Sequence, residues 1–337
     1  MPRGPRLDAP GVLHHVMVRG IERRPIFRDG ADRDDFVERL ATLTEAGALT
    51  IFAWALLPNH AHFLVRTGTR PLARSMRALL TGYAGAFNRR HKRAGHLFQN
   101  RYKSVVVEEE PYLLDLVRYL HLNPLRAGIV ADLRALERYR WTGHAALCGR
   151  LHRPWQATAE ILGRFARTPR QARAAYAAFV AAGVAQGRRA DLQGGGLVRS
   201  VGGWQAVRAL RRGREAYRAD ERVLGSSPFV EGLLQEAERE AEARGRLQRR
   251  PLPMDALVQR VGKSLGLSPD AVGGRSRRGT APQARQLVAY LWVERLGRSG
   301  SDLTRAWGWS RGQVSWAANR GEEVAQAWRR EIEAWCA

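Results

Sequence analysis

Two histidines, His60 and His62, alternate with apolar residues in the segment LPNHAHFLV at positions 57–65. A β-strand has a side-chain period of two, so both imidazoles point to one face while Ala61 and Phe63 point to the other. Two neutral imidazoles on one rigid face can hold a metal ion. A hydrogen-bonded or partly exposed histidine pair that binds no metal is the alternative, and the spacing alone fits both interpretations.

A second pair of polar groups belongs to a strongly apolar helix predicted at residues 111–122, which stops where Asn123 precedes Pro124. Tyr119 and Asn123 are four residues apart, so their side chains share one helix face. If this face packs over the histidines, Asn123 completes a metal site and Tyr119 reaches a phosphate that the metal holds. The alternative is a core tyrosine followed by an asparagine that merely ends the helix.

The chemistry indicated by these residues is phosphoryl transfer to a phenol. Phenol is a poor nucleophile at its usual pKa of about 10, so it needs an activated electrophile or help in losing its proton. A divalent cation polarises the phosphoryl oxygen and orients the scissile bond. The predicted cofactor is Mg²⁺ or Mn²⁺, whose remaining coordination positions phosphate oxygens and water would fill.

The composition indicates a polyanionic partner. The 337 residues include 56 Lys and Arg against 32 Asp and Glu, a net charge of +24. Nucleic acid is the first candidate partner and an anionic membrane surface the second. The length predicts two or three domains. Two distant cysteines, Cys148 and Cys336, and the lack of an apolar run long enough for a membrane span predict a cytoplasmic protein.

Alternating strands and helices must position these groups. The predicted order is strand 12–18, helix 29–46, strand 49–65, helix 71–91, strand 95–107 and helix 111–122. This order predicts an α+β fold in which helices cover an antiparallel sheet. Beyond Trp141 the chain is rich in Ala and Arg, with helices predicted at 169–182 and 229–243, a linker at 191–197 and a break at 248–253.

The C-terminal part is predicted to be helical and compact. Residues 302–308 and 309–320 have the pattern of two helices joined by a tight turn, in which Leu303 and Ala306 precede Gly308 and Val314 and Ala317 anchor the second helix to the core. In a helix-turn-helix the second helix enters the major groove of DNA. The candidates to face DNA are Ser310, Arg311, Gln313, Ser315 and Trp316. A helical bundle with an exposed basic face is the alternative.

Four sequence blocks, in order, resemble the single-tyrosine HUH transposases, and among them the REP-associated tyrosine transposase-like proteins. The blocks are Arg19-Gly20 with Pro25-Ile26-Phe27, then LPNHAHFLV, then GHLFQNRYKS at 95–104, then YLLDLVRYLHLNPLRAG at 112–128. The resemblance covers roughly residues 10–145. It implies a ferredoxin-like domain that cleaves single-stranded or hairpin DNA through a 5′-phosphotyrosine and rejoins it with a 3′-hydroxyl.

The resemblance also implies roles for particular residues. Tyr119 would be the nucleophile, His60 and His62 metal ligands, and Asn123 the third ligand. His121, two residues beyond Tyr119, faces away and is not expected to bind metal. The predicted DNA-contacting residues of this domain are Arg19, Arg23, Arg24, Arg89, Arg90, Arg101, Tyr102 and Lys103, with Tyr102 or Phe98 stacking on a base. The family includes monomers and dimers, so a homodimer stays open.

Residues 255–322 resemble, at the level of pattern, the duplex-binding domain of the bacterial replication initiator DnaA. This resemblance adds Arg275, Arg277 and Arg278 to the predicted DNA contacts. The predicted division is a tyrosine transposase domain at 1–145, an all-α connecting region at 146–250 and a helix-turn-helix domain at 251–337.

The predicted function is a metal-assisted, transposase-like DNA strand transferase in the bacterial cytoplasm, associated with the nucleoid. Two alternatives remain open. One is a catalytically silent DNA-binding regulator that has kept the fold. The other is a metal-dependent DNA phosphohydrolase in which water attacks and Tyr119 is structural.

Overall fold

The computed structural model describes residues 10–68, 70–187, 222–249, 252–274 and 278–336, together with Leu7, Leu192 and Ser276. Arg275, Arg277 and, apart from Leu192, the predicted linker at 191–197 lie outside the described residues. Backbone contacts divide the chain into two compact units, Met1–Ala237 and Glu238–Ala337. Each unit has its own hydrophobic core. The predicted boundary after residue 145 falls inside a short helix of the first unit.

A five-stranded sheet forms the centre of the first unit. Its strands are β1 (Leu13–Arg19), β2 (Leu49–Leu57), β3 (His60–Thr67), β4 (Lys103–Val107) and β5 (Val223–Leu224). The strand order is β2-β3-β1-β4-β5, antiparallel except for β5, which is parallel to β4. The predicted α+β class is confirmed. The sheet is mixed, however, because a segment from the supposedly all-α connecting region adds the parallel fifth strand.

Helices of very different length accompany the sheet. They are α1 (Gly30–Glu45), α2 (Leu72–Arg90), α3 (Glu109–His121), α4 (Asn123–Arg126), α5 (Leu133–Arg138), α6 (His144–Leu147), α7 (Thr158–Gly163), α8 (Pro169–Ala182) and α9 (Ser227–Arg249). The order β1-α1-β2-β3-α2-β4 is that of a ferredoxin-like fold. Predicted and observed bounds of α1 and α2 differ only by the capping residues, and those of α8 agree.

The prediction of one strand over residues 49–65 is wrong, because the chain folds back there as a hairpin. Pro58 and Asn59 form the turn, and Leu57 pairs with His60. The backbone N–H of Gly20 donates to the Asn59 carbonyl at 2.9 Å. Apolar residues on both sides of the turn hide it in the sequence, although proline is a poor residue for the interior of a strand. His60 therefore begins β3, right beside the turn.

The sheet lies between two helical layers. Val16, Phe36 and Phe63 belong to the core between the sheet and α1 with α2, where the Phe36 and Phe63 rings stack at 5.7 Å. On the other face, Leu64 packs with Leu116 and its neighbours from α3. Because side chains alternate along β3, the face of Leu64 is also the face of the two histidines.

The strand predicted over residues 95–107 is too long, since only Lys103–Val107 forms β4. Further upstream, the backbone bonds to the end of β1 and the loop after it. The N–H of Ile21 donates to the Leu97 carbonyl at 3.0 Å, and the N–H of Gln99 donates to the Arg19 carbonyl at 2.9 Å. This segment therefore braces the loop that follows β1.

The second unit is helical in its described part. Its helices after α9 are α10 (Met254–Ser264), α11 (Pro269–Gly273), α12 (Ala281–Tyr290) with a π-helical turn (Leu291–Arg295), α13 (Gly300–Trp307), α14 (Arg311–Gln326) and α15 (Arg329–Cys336). Gly308, with φ of +65°, ends α13 in the left-handed conformation that favours glycine. Val314 and Ala317 are buried as predicted, and of the two residues before the turn Leu303 is buried while Ala306 is exposed.

Candidate functional site

His60 and His62 lie side by side on the face of β3 that α3 covers. Their ring centroids are 5.1 Å apart, and Ala61 and Phe63 point into the opposite core. His62 is 8% exposed and His60 is half-buried. The pair is therefore open to solvent mainly at His60, beside the β2–β3 turn.

The ring of His60 belongs to a hydrogen-bond network in the β2–β3 turn. Nδ1 of His60 lies 2.6 Å from Oδ1 of Asn59, and Nδ2 of Asn59 donates to the carbonyl of Arg23 at 3.0 Å. Since Nδ2 is thereby identified as the donor end of the amide, Oδ1 can only accept. His60 can bond to this oxygen only from a protonated Nδ1, and in that tautomer the lone pair of Nε2 is available.

The loop that provides the Arg23 carbonyl is backbone-strained. Glu22 and Arg23 have φ of +53° and +60°, which is uncommon for residues with a β-carbon. Gly20 at the start of the loop tolerates no side chain, because an added Cβ would overlap the carbonyl oxygen of Arg24. Such strain persists only where surrounding contacts enforce it. Here the bonds to the β2–β3 turn supply those contacts.

Both histidines of β3 are neutral at pH 7. Burial first, and the positive charge of Arg19 second, lower the pKa of His60 to about 4. Burial likewise holds the pKa of His62 well below its usual range, with further lowering by His15, His60 and Arg19. Neutral imidazole is the form that binds metal ions, so both side chains are poised as ligands.

A third histidine, His15 on β1, joins the cluster. Its Nε2 lies 3.1 Å from Nδ1 of His62, and the two rings stack with centroids 5.4 Å apart. His15 is fully buried. Its place beside His62 follows from the register in which Met17 pairs with His62, and that register is not legible in the sequence. The only local signal is that His15 alternates with Leu13 and Met17 on one strand face.

Tyr119 lies in α3 on the same side of the sheet. Its ring meets that of His15 edge-on, with centroids 6.3 Å apart, and the guanidinium of Arg126 lies 5.4 Å from its centroid. Tyr119 is 5% exposed. The structure thus brings Tyr119 and the histidine pair into one layer, with His15 in contact with both His62 and Tyr119.

Asn123 starts α4, one turn beyond Tyr119. Its side chain is half-buried, and its Nδ2 is buried without a hydrogen-bond partner. A buried amide N–H without an acceptor is rare in native proteins. A cation would not satisfy it, because only the amide oxygen Oδ1 can bind a metal. An amide oxygen together with two imidazole nitrogens suits a first-row transition-metal dication such as Mn²⁺ better than the oxygen-preferring Mg²⁺.

His121 belongs to a different cluster. Its Nδ1 lies 2.8 Å from the hydroxyl of Tyr176, and Nδ1 of His144 lies 2.7 Å from the same oxygen. Burial holds the pKa of His121 well below its usual range. The hydroxyl therefore joins α3, α6 and α8, and His121 is directed toward α8 rather than toward the β3 histidines.

Within the described residues, one group of three His, Cys, Asp or Glu side chains has its potential metal-ligand atoms within 4.8 Å of one another, and it is Asp29, Asp32 and His91 rather than the β3 histidines. The carboxylates of this group already accept hydrogen bonds from within the protein. Asp29 caps α1 by accepting from the backbone N–H of Asp32, and Asp32 accepts from Arg90 and His91 at 2.9 Å. The positive charge of Arg90 on the same carboxylate opposes a cation, so this group stabilises the α1–α2 pair.

Most of the predicted DNA contacts in the first unit are exposed. They are Arg19, Arg23, Arg24, Arg89, Arg90, Arg101 and Lys103. Arg24 pairs with Glu22 at 2.9 Å. Tyr102 departs from the prediction, because it is 7% exposed and packs in the core under α1 and α2. Its ring is not available to stack on a base, whereas Phe98 is half-buried beside that core.

In the second unit, five predicted DNA-facing side chains are exposed: Ser310, Arg311, Gln313, Ser315 and Trp316. Ser310 and Gln313 form a capping box, in which each side chain bonds the backbone N–H of the other at 3.2 and 2.8 Å. These two side chains are therefore engaged in starting α14. Arg311, Ser315 and the 61% exposed Trp316 form the outward face, and Arg278 is also exposed.

Residues 10–123, about a third of the chain, match the family described as IS200-like transposases. No curated protein matches the chain. A solved REP-associated tyrosine transposase bound to a REP hairpin is 16% identical and covers 46% of this chain and 90% of its own, with a TM-score of 0.38.

None of the helices in the described ranges is long and apolar enough to cross a membrane.

The family match spans β1 to β4, α1 to α3 and the first residue of α4, and it contains His15, His60, His62, Tyr119 and Asn123. Over residues 10–123 this chain is therefore similar to the IS200-like transposases, which supports a transposase-like function for its N-terminal sheet and helices.

Proposed function

We propose that the first unit cleaves and rejoins single-stranded DNA through a covalent link to Tyr119. The observation that carries the proposal is the contact chain from His60 through His62 and His15 to Tyr119 within one layer of the fold. A tyrosine that served only as core packing would not need a cluster of neutral, mutually oriented imidazoles beside it.

The proposed reaction exchanges one phosphodiester for another. The hydroxyl of Tyr119 releases its proton to water, its oxygen forms a bond to the scissile phosphorus, and the bond from phosphorus to the 3′ oxygen breaks. The 3′ oxygen leaves with the electron pair and takes up a proton, which gives a 5′-phosphotyrosine and a free 3′-hydroxyl. Attack by another 3′-hydroxyl reverses the step, joins the strands and restores Tyr119. Because the bond energy is retained, no nucleotide cofactor is required.

His60 and His62, through Nε2, and Asn123, through its amide oxygen, would hold the divalent cation, which we propose to be Mg²⁺ or Mn²⁺. When bound, the cation supplies charge stabilisation at the phosphoryl oxygen. The chain itself keeps both imidazoles neutral by burial and by the charge of Arg19. Tyr119 is 5% exposed and His60 is half-buried, and we propose that the DNA strand enters beside His60.

We further propose that the second unit binds duplex DNA through the outward face of α14. Arg311 would contact phosphate, and Ser315 and Trp316 would meet the groove. The support is that these side chains are exposed while the opposite face, with Val314 and Ala317, is buried. The overall charge of +24 favours any nucleic-acid contact.

The test of the first proposal is covalent capture of DNA. The full chain is incubated with end-labelled hairpin DNA and Mn²⁺, and a protein–DNA adduct is sought on a denaturing gel. Tyr119→Phe should abolish the adduct, while Tyr112→Phe, on the same helix, should retain it. Cleavage that persists without adduct in Tyr119→Phe would support a hydrolase. Binding without any cleavage would support a regulator.

The duplex-binding proposal is tested separately, with Trp316→Ala and Arg311→Ala. Both should weaken binding of the full chain to duplex DNA, and Arg311→Ala should reduce the slope of log K against log salt by about one. Arg305→Ala is the matched control, because this exposed arginine of α13 already pairs with Asp302 at 2.7 Å. Unchanged duplex binding in both test variants would reject the proposal.

A further inference from the structure

We infer that Asn59 and His15 are positioning residues that fix the proton of His60 and of His62 on Nδ1, so that both Nε2 atoms are presented as ligands. The inference rests on the proposed metal site and deepens it. It assigns a role to Asn59 in the β2–β3 turn and to His15 on the neighbouring strand. Neither residue would touch the cation.

The physical need arises from imidazole tautomerism. A neutral imidazole carries its proton on one ring nitrogen, and only the other nitrogen has a lone pair for a metal. A histidine whose proton sits on Nε2 offers that atom as a donor and repels a cation from it. A group that accepts a hydrogen bond from Nδ1–H removes this choice and orients the ring. Two adjacent ligands need two such groups.

For His60 the group is Asn59. The direction of the bond follows from the amide, because Nδ2 of Asn59 donates to the carbonyl of Arg23 and Oδ1 is left to accept at 2.6 Å. The strained backbone of Arg23, with φ of +60°, places that carbonyl. The β2–β3 turn is also held by the backbone N–H of Gly20, which donates to the Asn59 carbonyl. Asn59 is thus bonded at its carbonyl, its amide nitrogen and its amide oxygen.

For His62 the group is His15. Nε2 of His15 and Nδ1 of His62 lie 3.1 Å apart, and one of them must donate. If Nδ1 of His62 donates, its Nε2 is free for a cation. If Nε2 of His15 donates, the proton of His62 must sit on Nε2, and the ligand is lost. Only the first direction of this hydrogen bond, from Nδ1 of His62 to Nε2 of His15, gives His62 the same tautomer as His60.

The fold holds the His15 ring rigidly enough for this role. The ring is fully buried, stacked against His62 with an interplanar angle of 28° and met edge-on by Tyr119. Its strand neighbour His14 is equally buried but points to the opposite face, beside Val16. His14 therefore provides a matched control for substituting a buried histidine in β1.

The first measurement reads the tautomers in the wild-type protein without metal or DNA. Long-range ¹H–¹⁵N correlation spectra of histidine side chains distinguish a protonated Nδ1 from a protonated Nε2. We expect protonated Nδ1 in both His60 and His62, assigned by comparison with the single alanine variants. A protonated Nε2 in His62 would overturn the role of His15, and in His60 that of Asn59. This measurement does not depend on whether any His15 variant folds.

The second measurement is the affinity of the full chain for Mn²⁺ alone, followed by electron paramagnetic resonance. His15→Leu and Asn59→Ala should each weaken binding by about 10- to 100-fold, the usual effect of losing a hydrogen-bond partner of a ligand. His15→Gln and Asn59→Asp retain an acceptor oxygen and should bind several-fold more tightly than His15→Leu and Asn59→Ala, respectively. His14→Leu should bind as the wild type does.

The outcomes separate this inference from the proposed function. If His60→Ala and His62→Ala leave Mn²⁺ binding intact, the proposed metal site itself is wrong. If those variants abolish binding while His15→Leu and Asn59→Ala bind as the wild type does, the site stands and the inference is overturned. Weakened binding in His15→Leu, with recovery in His15→Gln, supports the inference, because a merely structural role would not be rescued by an acceptor.

Discussion

Nε2 of His15 lies 3.1 Å from Nδ1 of His62, and the same His15 ring meets the ring of Tyr119 at 6.3 Å between centroids. His15 is on β1, His62 on β3 and Tyr119 on α3, so three elements distant in sequence meet at one buried imidazole. Strand pairing fixes two of them, and packing of α3 on the sheet fixes the third. The geometry of the candidate site is therefore a property of the whole sheet.

His60→Ala should lower the rate of DNA adduct formation by at least about a hundredfold, because one charge-stabilising ligand contact is lost. Hairpin binding without metal should change less than about twofold, since His60 is one neutral side chain among many basic ones. The adduct rate is measured on denaturing gels and the affinity by fluorescence anisotropy. An unchanged adduct rate would exclude His60 from the chemistry.

His14→Leu should make the protein more resistant to acid. Burial lowers the pKa of His14 to about 4, whereas the unfolded chain binds this proton at about 6.5. Between these values the unfolded state holds more protons, so wild-type stability falls as the pH drops below about 6.5. The leucine variant does not titrate at this position. The free energy of unfolding of His14→Leu, relative to that of the wild type, should therefore rise by about 2 kcal/mol as the pH is lowered from 7 to 5. Urea unfolding measures it, and a constant difference would contradict the assignment.

The local part of the site is legible in the sequence. A period of two places His60 and His62 on one strand face, and a period of 3.6 places Tyr119 and Asn123 on one helix face. Both periods act over a few residues, so no knowledge of the fold is needed. Helix ends are legible for the same reason, as at Thr168, whose hydroxyl oxygen caps α8 by accepting from the backbone N–H of Gln171.

The missed features all depend on distant pairing. His15 gains its role from the register between β1 and β3, which are separated by α1 and β2. The parallel strand β5 pairs Val223 with Val106, more than a hundred residues away. Tyr102 lies in a basic segment, which suggests an exposed aromatic side chain, yet it packs in the core under α1 and α2. Such outcomes follow from the packing of the whole unit.

Tyr176→Phe should destabilise the first unit while leaving DNA chemistry intact. The hydroxyl of Tyr176 bonds Nδ1 of both His121 and His144, and its loss leaves two buried ring nitrogens without that partner. We expect a cost of about 1–3 kcal/mol in the free energy of unfolding. Adduct formation measured below the unfolding transition should match the wild type. A selective loss of adduct would instead place His121 in the chemistry.

Asp32→Asn should also destabilise the first unit, in a pH-dependent way. Burial alone would raise the pKa of Asp32, but bonds from the N–H of Arg28, from His91 and from Arg90 outweigh it and lower the pKa. A carboxyl group whose pKa is lower in the folded than in the unfolded protein stabilises the fold at pH values above its unfolded pKa of about 3.9. This stabilisation is lost as the pH falls below that value. At pH 7 we expect a loss of roughly 2–4 kcal/mol.

Asp34→Asn provides the control for Asp32→Asn. Asp34 lies on the same helix and pairs with Arg140 at 3.3 Å, but its side chain is 48% exposed. An exposed pair contributes at most about 1 kcal/mol, so this variant should unfold nearly as the wild type does. Equal effects of the two substitutions in urea unfolding at pH 7 would show that burial of Asp32 does not matter.

Gly321→Ala tests whether the two units unfold independently. Gly321 on α14 faces α12 so closely that an added Cβ would overlap the carbonyl oxygen of Gln286 and lie 2.8 Å from Cβ of Tyr290. Overpacking of this kind costs typically about 1–3 kcal/mol, because the helices must separate. The matched change Gly312→Ala, at the exposed start of α14 with its nearest atom 3.8 Å away, should be neutral or stabilising. Calorimetry should show that Gly321→Ala lowers the midpoint temperature of one unfolding transition, that of the second unit, while adduct formation by Tyr119 persists. A single transition lowered as a whole would mean that both units unfold together.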